Sequence, residues 1–150
     1  MNQTLQKFAY PTNLIAEYAH WVVLVRPQQV TYGSAVIAAK SSGASLGELT
    51  AAEASELPSI IGDYEKTISQ LAQAEKFNYL ALMMIDPNPH FHALPRYSKP
   101  IIRDGCSFFD ATFPKPPDLN VLNEVNASQL QLIRRRLATN WRSNSCICFI

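Results

Sequence analysis

Three things are scarce in this sequence, and each scarcity excludes a class of function. Cysteine is the first, with 3 in 150 residues. An odd count, with Cys146 and Cys148 close together near the end, does not build a disulfide framework and fits a reducing cytoplasm. Cys106 reads as a small apolar filler. The ending Cys146-Ile147-Cys148-Phe149-Ile150 is not a prenylation signal, because Ile147 stands where that motif needs cysteine. Charge of one sign is the second scarcity: 13 basic residues face 12 acidic ones, for a net +1. No broad field draws the chain to nucleic acid or to a membrane surface, so an anionic ligand must be held by a local site. Long apolar runs are the third. The longest, Leu80 to Ile85, is far short of the ~20 residues that span a bilayer. The opening Met1 to Lys7 has no apolar segment behind its one charge, unlike a secretory signal.

What is present is the composition of a globular domain. Hydrophobic residues make up 47% and charged residues 17%, too apolar for disorder. A single domain over 1–150 is expected, long enough to bury one real core.

The segment Tyr18 to Val25, rich in β-branched and aromatic residues, reads as a strand. A second apolar stretch, Ala35 to Ala39, follows Tyr32-Gly33-Ser34 as its antiparallel neighbour. Thr50-Ala51-Ala52-Glu53 matches a capping box, in which threonine and glutamate satisfy each other's backbone N–H groups. Leu57, Ile60, Ile61, Tyr64, Ile68 and Leu71 then recur at helical spacing, predicting a helix to about Glu75. Pro58 inside it predicts a kink or a delayed start. Asn78 to Ile85 is apolar enough for a central strand. Asp86-Pro87-Asn88-Pro89 reads as an exposed turn, and His90 to Leu94 as the returning strand. The proline-rich stretch 97–120 reads as irregular. Ser128-Gln129-Leu130-Gln131 opens a last helix with Leu130, Ile133, Leu137 and Trp141 on one face. Arg134, Arg135 and Arg136 fall mostly off that face and read as solvated. Two strands, a long helix, two strands, a loop and a final helix predict an α+β fold.

Chemistry concentrates in His90-Phe91-His92. Strand positions two apart share a face, ~6.5 Å from each other. Both imidazoles therefore point one way and Phe91 the other. Neutral imidazole, with an ordinary pKa of ~6.5, is a nucleophile near neutral pH. It can attack phosphorus and split one displacement into two, while a neighbouring imidazole bonds a phosphate oxygen or helps the leaving group depart. A satisfied core histidine and a metal site with His20 as third ligand are the competing readings. Arg26 is either a solvated strand end or a bidentate receptor for phosphate or carboxylate. Arg96 reads as a structural residue that bonds carbonyls or an acidic partner.

The heptad His90-Phe91-His92-Ala93-Leu94-Pro95-Arg96 resembles the signature of the histidine-triad superfamily. Trp21 to Val25, Val30-Thr31-Tyr32-Gly33-Ser34, Lys40, Leu49 to Glu53 and Phe77-Asn78 fall in that family's order, so the likeness covers roughly 15–97. The chain also resembles a bacterial subgroup in Arg26-Pro27-Gln28-Gln29-Val30-Thr31 and Pro116-Pro117-Asp118-Leu119. The likeness implies a sheet of about five antiparallel strands with a long central helix and a C-terminal helix. It implies a core over about 15–97 and a C-terminal extension over about 98–150. It implies that His90 is the nucleophile and His92 the last histidine, both catalytic, with ligand contacts at Asn88, Arg26 and Ser34.

The triad is incomplete, because Asn88 takes its first position. Asn88-Pro89-His90 resembles the His-Pro-His of the galactose-phosphate uridylyltransferase branch. Arg26 stands where the family usually has an acidic residue for ribose hydroxyls, and Ser34 where histidine is common. The expected activity is hydrolysis or transfer of a nucleotidyl group from a phosphoramidate or a dinucleoside polyphosphate. No cofactor is implied, with magnesium arriving only alongside a polyphosphate substrate. The alternative is a nucleotide- or metabolite-binding module of the same fold with little catalysis. The likeness further implies a cytoplasmic homodimer formed through the long helix and the central strand, with a small-molecule nucleotide as ligand.

Overall fold

The computed structural model describes residues 2–145. Cys146 and Cys148 lie outside the described residues. Its centre is a five-stranded antiparallel sheet made of β1 (Leu14–Glu17), β2 (Trp21–Val25), β3 (Ala35–Ala39), β4 (Lys76–Leu80) and β5 (His90–Arg96). The strands lie in the order β1-β2-β3-β5-β4. With its helices, this is the α+β architecture that the sequence predicts.

Every residue of β2 and β3 is buried, so both faces of the sheet are covered. Alternation then sorts their side chains by face. Trp21, Val23, Val25, Ala35, Ile37 and Ala39 join the core beneath two helices, α2 (Ala51–Leu71) and α3 (Ala127–Ser145). Val22, Leu24, Val36 and Ala38 face the other way, where Leu5 and Phe8 cover them. Leu5 belongs to a short helix, α1 (Gln3–Lys7), that the sequence pattern does not predict. At five residues it has too few turns to show a period.

The Thr50–Glu53 capping box forms as expected. The Thr50 Oγ1 accepts from the Glu53 N–H at 3.2 Å, and a Glu53 carboxylate oxygen accepts from the Thr50 N–H at 3.0 Å. The helix therefore starts at Ala51 without delay, and Pro58 sits inside it. Pro58 and Ala54 are both exposed, so water can take the Ala54 carbonyl that the ring leaves without a donor. The helix ends at Leu71, four residues short of Glu75. Its buried face is Ile60, Tyr64, Ile68 and Leu71. The Tyr64 hydroxyl donates to the Gly33 carbonyl at 2.7 Å. Gly33 has φ +85°, and a Cβ there would stand 2.5 Å from Ile68 Cδ1. The positive φ favours glycine, and any larger residue would also have to displace the tip of Ile68.

Four expectations are corrected. The strand expected over Tyr18 to Val25 begins only at Trp21, because the chain turns at 18–20 and an additional strand, β1, precedes it. The segment expected as a central strand is a short edge strand that stops at Leu80. Beyond it, Leu82, Met84 and Ile85 are 43%, 86% and 88% exposed, so this apolar run meets solvent rather than core. The stretch 97–120 contains a hairpin, β6 (Ile101–Arg103) and β7 (Cys106–Phe108). It closes on Asp104-Gly105 with φ +54° and +76°, the two left-handed positions of a tight hairpin turn. The last helix is capped at Asn126, not Ser128: Asn126 Oδ1 accepts from the Gln129 N–H, and Gln129 Oε1 from the Asn126 N–H, both at 2.8 Å. Among the described residues no helix is long and apolar enough to cross a membrane.

Candidate active site

β5 lies between β3 and β4, with Ala38 opposite His90 and Val36 opposite His92. This register puts both imidazoles on the sheet face covered by α1 and Phe8. Phe91 points the other way, against Trp21. The two imidazoles are 5.0 Å apart, edge to face.

Their hydrogen bonds assign opposite tautomers. His90 Nδ1 lies 2.7 Å from the Asn88 carbonyl oxygen, which can only accept. The proton is therefore on Nδ1, and Nε2 keeps its lone pair. That Nε2 is buried without a hydrogen-bond partner among the described residues. His92 Nδ1 instead accepts from Arg26 Nε at 3.3 Å, since a guanidinium only donates. His92 thus carries its proton on Nε2. One ring offers an electron pair and its neighbour offers a proton donor.

Burial, followed by the nearby positive charge of Arg26, pushes the His92 pKa down to about 4. The native imidazole stays neutral until about pH 4, whereas the unfolded one takes its proton near ~6.5. Within that window the unfolded state binds more protons, so stability falls as pH falls. A loss approaching ~3 kcal/mol between pH 6.5 and 4 is expected from this group alone. Urea denaturation at both pH values checks it. His92→Gln should lack that part of the decline, and an equally steep decline in the variant would contradict the assignment.

A cavity of about 550 Å³ opens beside His92. Arg26, Lys7 and Asp86 supply its charged groups, and Phe8, Leu82 and Leu122 part of its apolar wall. Lys7 and Asp86 form an ion pair at 2.8 Å. His92 lines the cavity, but His90 does not. His90 is fully buried, and the Phe8 ring lies against both imidazoles, its centroid 6.0 Å from His90 and 5.9 Å from His92.

The sequence-predicted residues divide accordingly. His90, His92 and Arg26 come together. Asn88 meets His90 only through its backbone carbonyl. Its side chain points to α1 and the 41–44 loop: Oδ1 accepts from the Thr4 N–H at 3.2 Å, and Nδ2 donates to the Gly43 carbonyl at 3.1 Å. The Asn88 N–H donates to Thr4 Oγ1. Asn88 is therefore a buried latch for the N-terminal helix, not an exposed turn residue. Although its carbonyl accepts from the Arg26 N–H at 2.9 Å, Ser34 does not line the cavity. Its fully buried hydroxyl donates to the Thr31 carbonyl and accepts from the Thr31 N–H, which closes the hairpin turn. His20 completes no ligand set, because among the described residues no three metal-binding side chains converge.

Sequence reasoning missed Lys7, Phe8 and the wall formed by 119–122. Asn123 staples that wall to the first hairpin, donating to the carbonyls of Val30 and Phe109 at 3.1 and 2.9 Å. Arg96 is structural, as expected. It forms a bidentate pair with Asp110 at 2.7 and 3.1 Å and donates to Asn78, Thr112 and the Lys115 carbonyl.

The five-stranded antiparallel sheet with a long helix across one face is the fold of solved histidine triad proteins. The chain aligns along 93% of its length with a histidine triad protein from Bradyrhizobium japonicum, at a TM-score of 0.69 and 17% identity, covering 96% of that protein. A histidine triad protein from Marinobacter aquaeolei VT8 aligns over 95% of this chain and 98% of its own, at a TM-score of 0.66 and 19% identity. A uridylyltransferase aligns over 94% of this chain but 44% of its own, at a TM-score of 0.65 and 15% identity. No family model and no curated protein matches the sequence.

Proposed function

We propose that the protein is a nucleotidyl hydrolase or transferase that works through a covalent nucleotidyl-His90. The observation that carries this reading is the orientation of His90. The Asn88 carbonyl holds the proton on Nδ1, which leaves the Nε2 lone pair without a partner among the described residues. In the first step Nε2 attacks the α-phosphorus, forming an N–P bond as the bond to the leaving group breaks. The Nε2–H of His92 donates to a phosphate oxygen and stabilises the charge that builds there. In the second step water, or an acceptor hydroxyl, attacks the same phosphorus: a P–O bond forms, the N–P bond breaks and returns its electron pair to Nε2, and the attacking group's proton leaves to solvent. A nucleoside phosphoramidate and a dinucleoside polyphosphate are the substrates to try. Release of the nucleoside monophosphate, followed by chromatography, tests the reading.

A second reading is favoured by the burial of His90 under Phe8. In it the protein is a nucleotide- or metabolite-binding module with little catalysis. Calorimetry against nucleoside monophosphates separates the two, because the module binds without releasing product.

The histidine-triad fold also supports a homodimer. β4 leaves one edge unpaired, and Leu82, Met84 and Ile85 continue from it as exposed apolar surface. Light scattering is expected to give twice the 16.8 kDa chain mass. A mass of one chain across a concentration series would remove the dimer.

A further inference from the structure

Although the field of Asp86 reaches it, Arg26 forms no ion pair among the described residues, and Asp86 is itself paired with Lys7. Arg26 is 8% exposed, and among the described residues no carboxylate lies within 4.0 Å of it. Of the three charged side chains that line the cavity, Lys7 and Asp86 neutralise each other, so the cavity keeps the positive charge of Arg26. The guanidinium is already fixed in place: Nε donates to His92 Nδ1, and Nη1 to the Gln28 carbonyl at 2.7 Å. Nη2 has no partner among the described residues. A buried charge left unpaired is costly, and a held guanidinium fork matches phosphate and carboxylate oxygens.

We infer that Arg26 receives an anionic leaving group, phosphate or carboxylate, as it departs from the phosphorus attacked by His90. This makes the scissile bond an anhydride rather than a phosphoramide, and it rests on the reading of His90 as nucleophile. When an anhydride P–O bond breaks, the electron pair stays on the leaving oxygen and no proton is needed. The new negative charge meets the guanidinium. When a P–N bond breaks, the leaving nitrogen must gain a proton. His92 is poorly suited to supply it. Its Nδ1 is occupied by Arg26, so it cannot become an imidazolium without losing that bond, and giving up Nε2–H from the neutral ring would leave an imidazolate. The geometry agrees with this assignment, because His92 and Arg26 line the cavity while His90, buried and in ring contact with His92, does not. An in-line displacement that sends the leaving group away from His90 delivers it into the cavity.

The test compares three substrates that share one nucleotidyl group: a dinucleoside polyphosphate, an acyl-nucleotidyl mixed anhydride and a phosphoramidate. The first two distinguish a phosphate leaving group from a carboxylate one. The wild-type kcat/KM is expected to favour at least one anhydride over the phosphoramidate by ~10-fold or more. Arg26→Gln removes the bond that orients His92 for every substrate, so a common loss is expected on all three, and on top of it the anhydride's kcat/KM should fall a further ~10-fold or more relative to the phosphoramidate's, the usual effect of losing one preorganised charge-stabilising donor. Equal losses on all three substrates, or a wild-type preference for the phosphoramidate, would overturn the inference. If the glutamine variant does not fold, Arg26→Met keeps most of the side-chain volume. If no substrate turns over, the reading of His90 fails separately. The anion site is then judged by calorimetry with inorganic tripolyphosphate: binding that Arg26→Gln abolishes supports it, and no binding to the wild type refutes it.

Discussion

Replacing His90 is expected to lower kcat/KM for nucleotidyl transfer by on the order of 10⁴-fold, the scale of loss when a covalent nucleophile is removed. The size follows from the site. His90 alone combines a free ring nitrogen with a tautomer set by a backbone carbonyl, and His92 cannot substitute because Arg26 occupies its Nδ1. His90 is also fully buried, so His90→Ala leaves a cavity and a destabilised protein. His90→Asn is the cleaner variant, because its amide can still donate to the Asn88 carbonyl. Circular dichroism and a denaturation midpoint near that of the wild type would establish that the asparagine variant is folded. Turnover by that folded variant within ~10-fold of wild type would exclude His90 as the nucleophile.

Asp110→Ala is expected to cost about 3–5 kcal/mol of folding stability, the range for removing one partner of a buried ion pair. The side chains of Arg96 and Asp110 are only 4% and 3% exposed. Without Asp110 the guanidinium keeps Asn78, Thr112 and the Lys115 carbonyl but loses its counter-charge. The Tyr97 N–H loses its acceptor as well. Since the Arg96 network ties 110–115 to β5, and that segment leads into the 119–122 wall, the variant should also bind ligand more weakly. Urea denaturation at pH 7 checks the stability. A loss below ~1 kcal/mol would mean that water replaces the carboxylate and that the pair does not anchor the segment.

The parts of this structure legible in the sequence are those that depend on short-range pattern. A capping box needs four residues, and Thr50 to Glu53 forms as read. The shared face of His90 and His92 needs only strand alternation. The Asp104-Gly105 turn pair between short apolar runs is a local signal too, but the reading of 97–120 as irregular misses it because prolines dominate the stretch. What could not be read depends on distant segments meeting. Nothing in the local pattern of Phe8 says that it covers residues some eighty positions away. Asn88 is the clearest case. Its neighbours Pro87 and Pro89 mark a turn correctly, but burial comes from Thr4 and Gly43, at separations of 84 and 45 residues. An Asn88→His exchange is therefore not the mild surface substitution that a turn would allow, because a bulkier ring must displace α1. The edge position of β4 was hidden for a related reason. Its apolar continuation at Leu82, Met84 and Ile85 looks like core in sequence, yet two of these residues are almost wholly exposed. The sequence leaves Arg26 open to a solvated or a ligand-binding role, and its burial against His92 excludes the solvated one.

The most direct measurement of the central claim is the mass of the protein caught in turnover. The protein is mixed with excess nucleotidyl donor, quenched in base within the first turnovers and digested for mass spectrometry. The account predicts one nucleotidyl group on the peptide that contains His90, attached through nitrogen and therefore stable in base and lost in acid. An adduct on another residue, or product release with no adduct at any quench time, would contradict it.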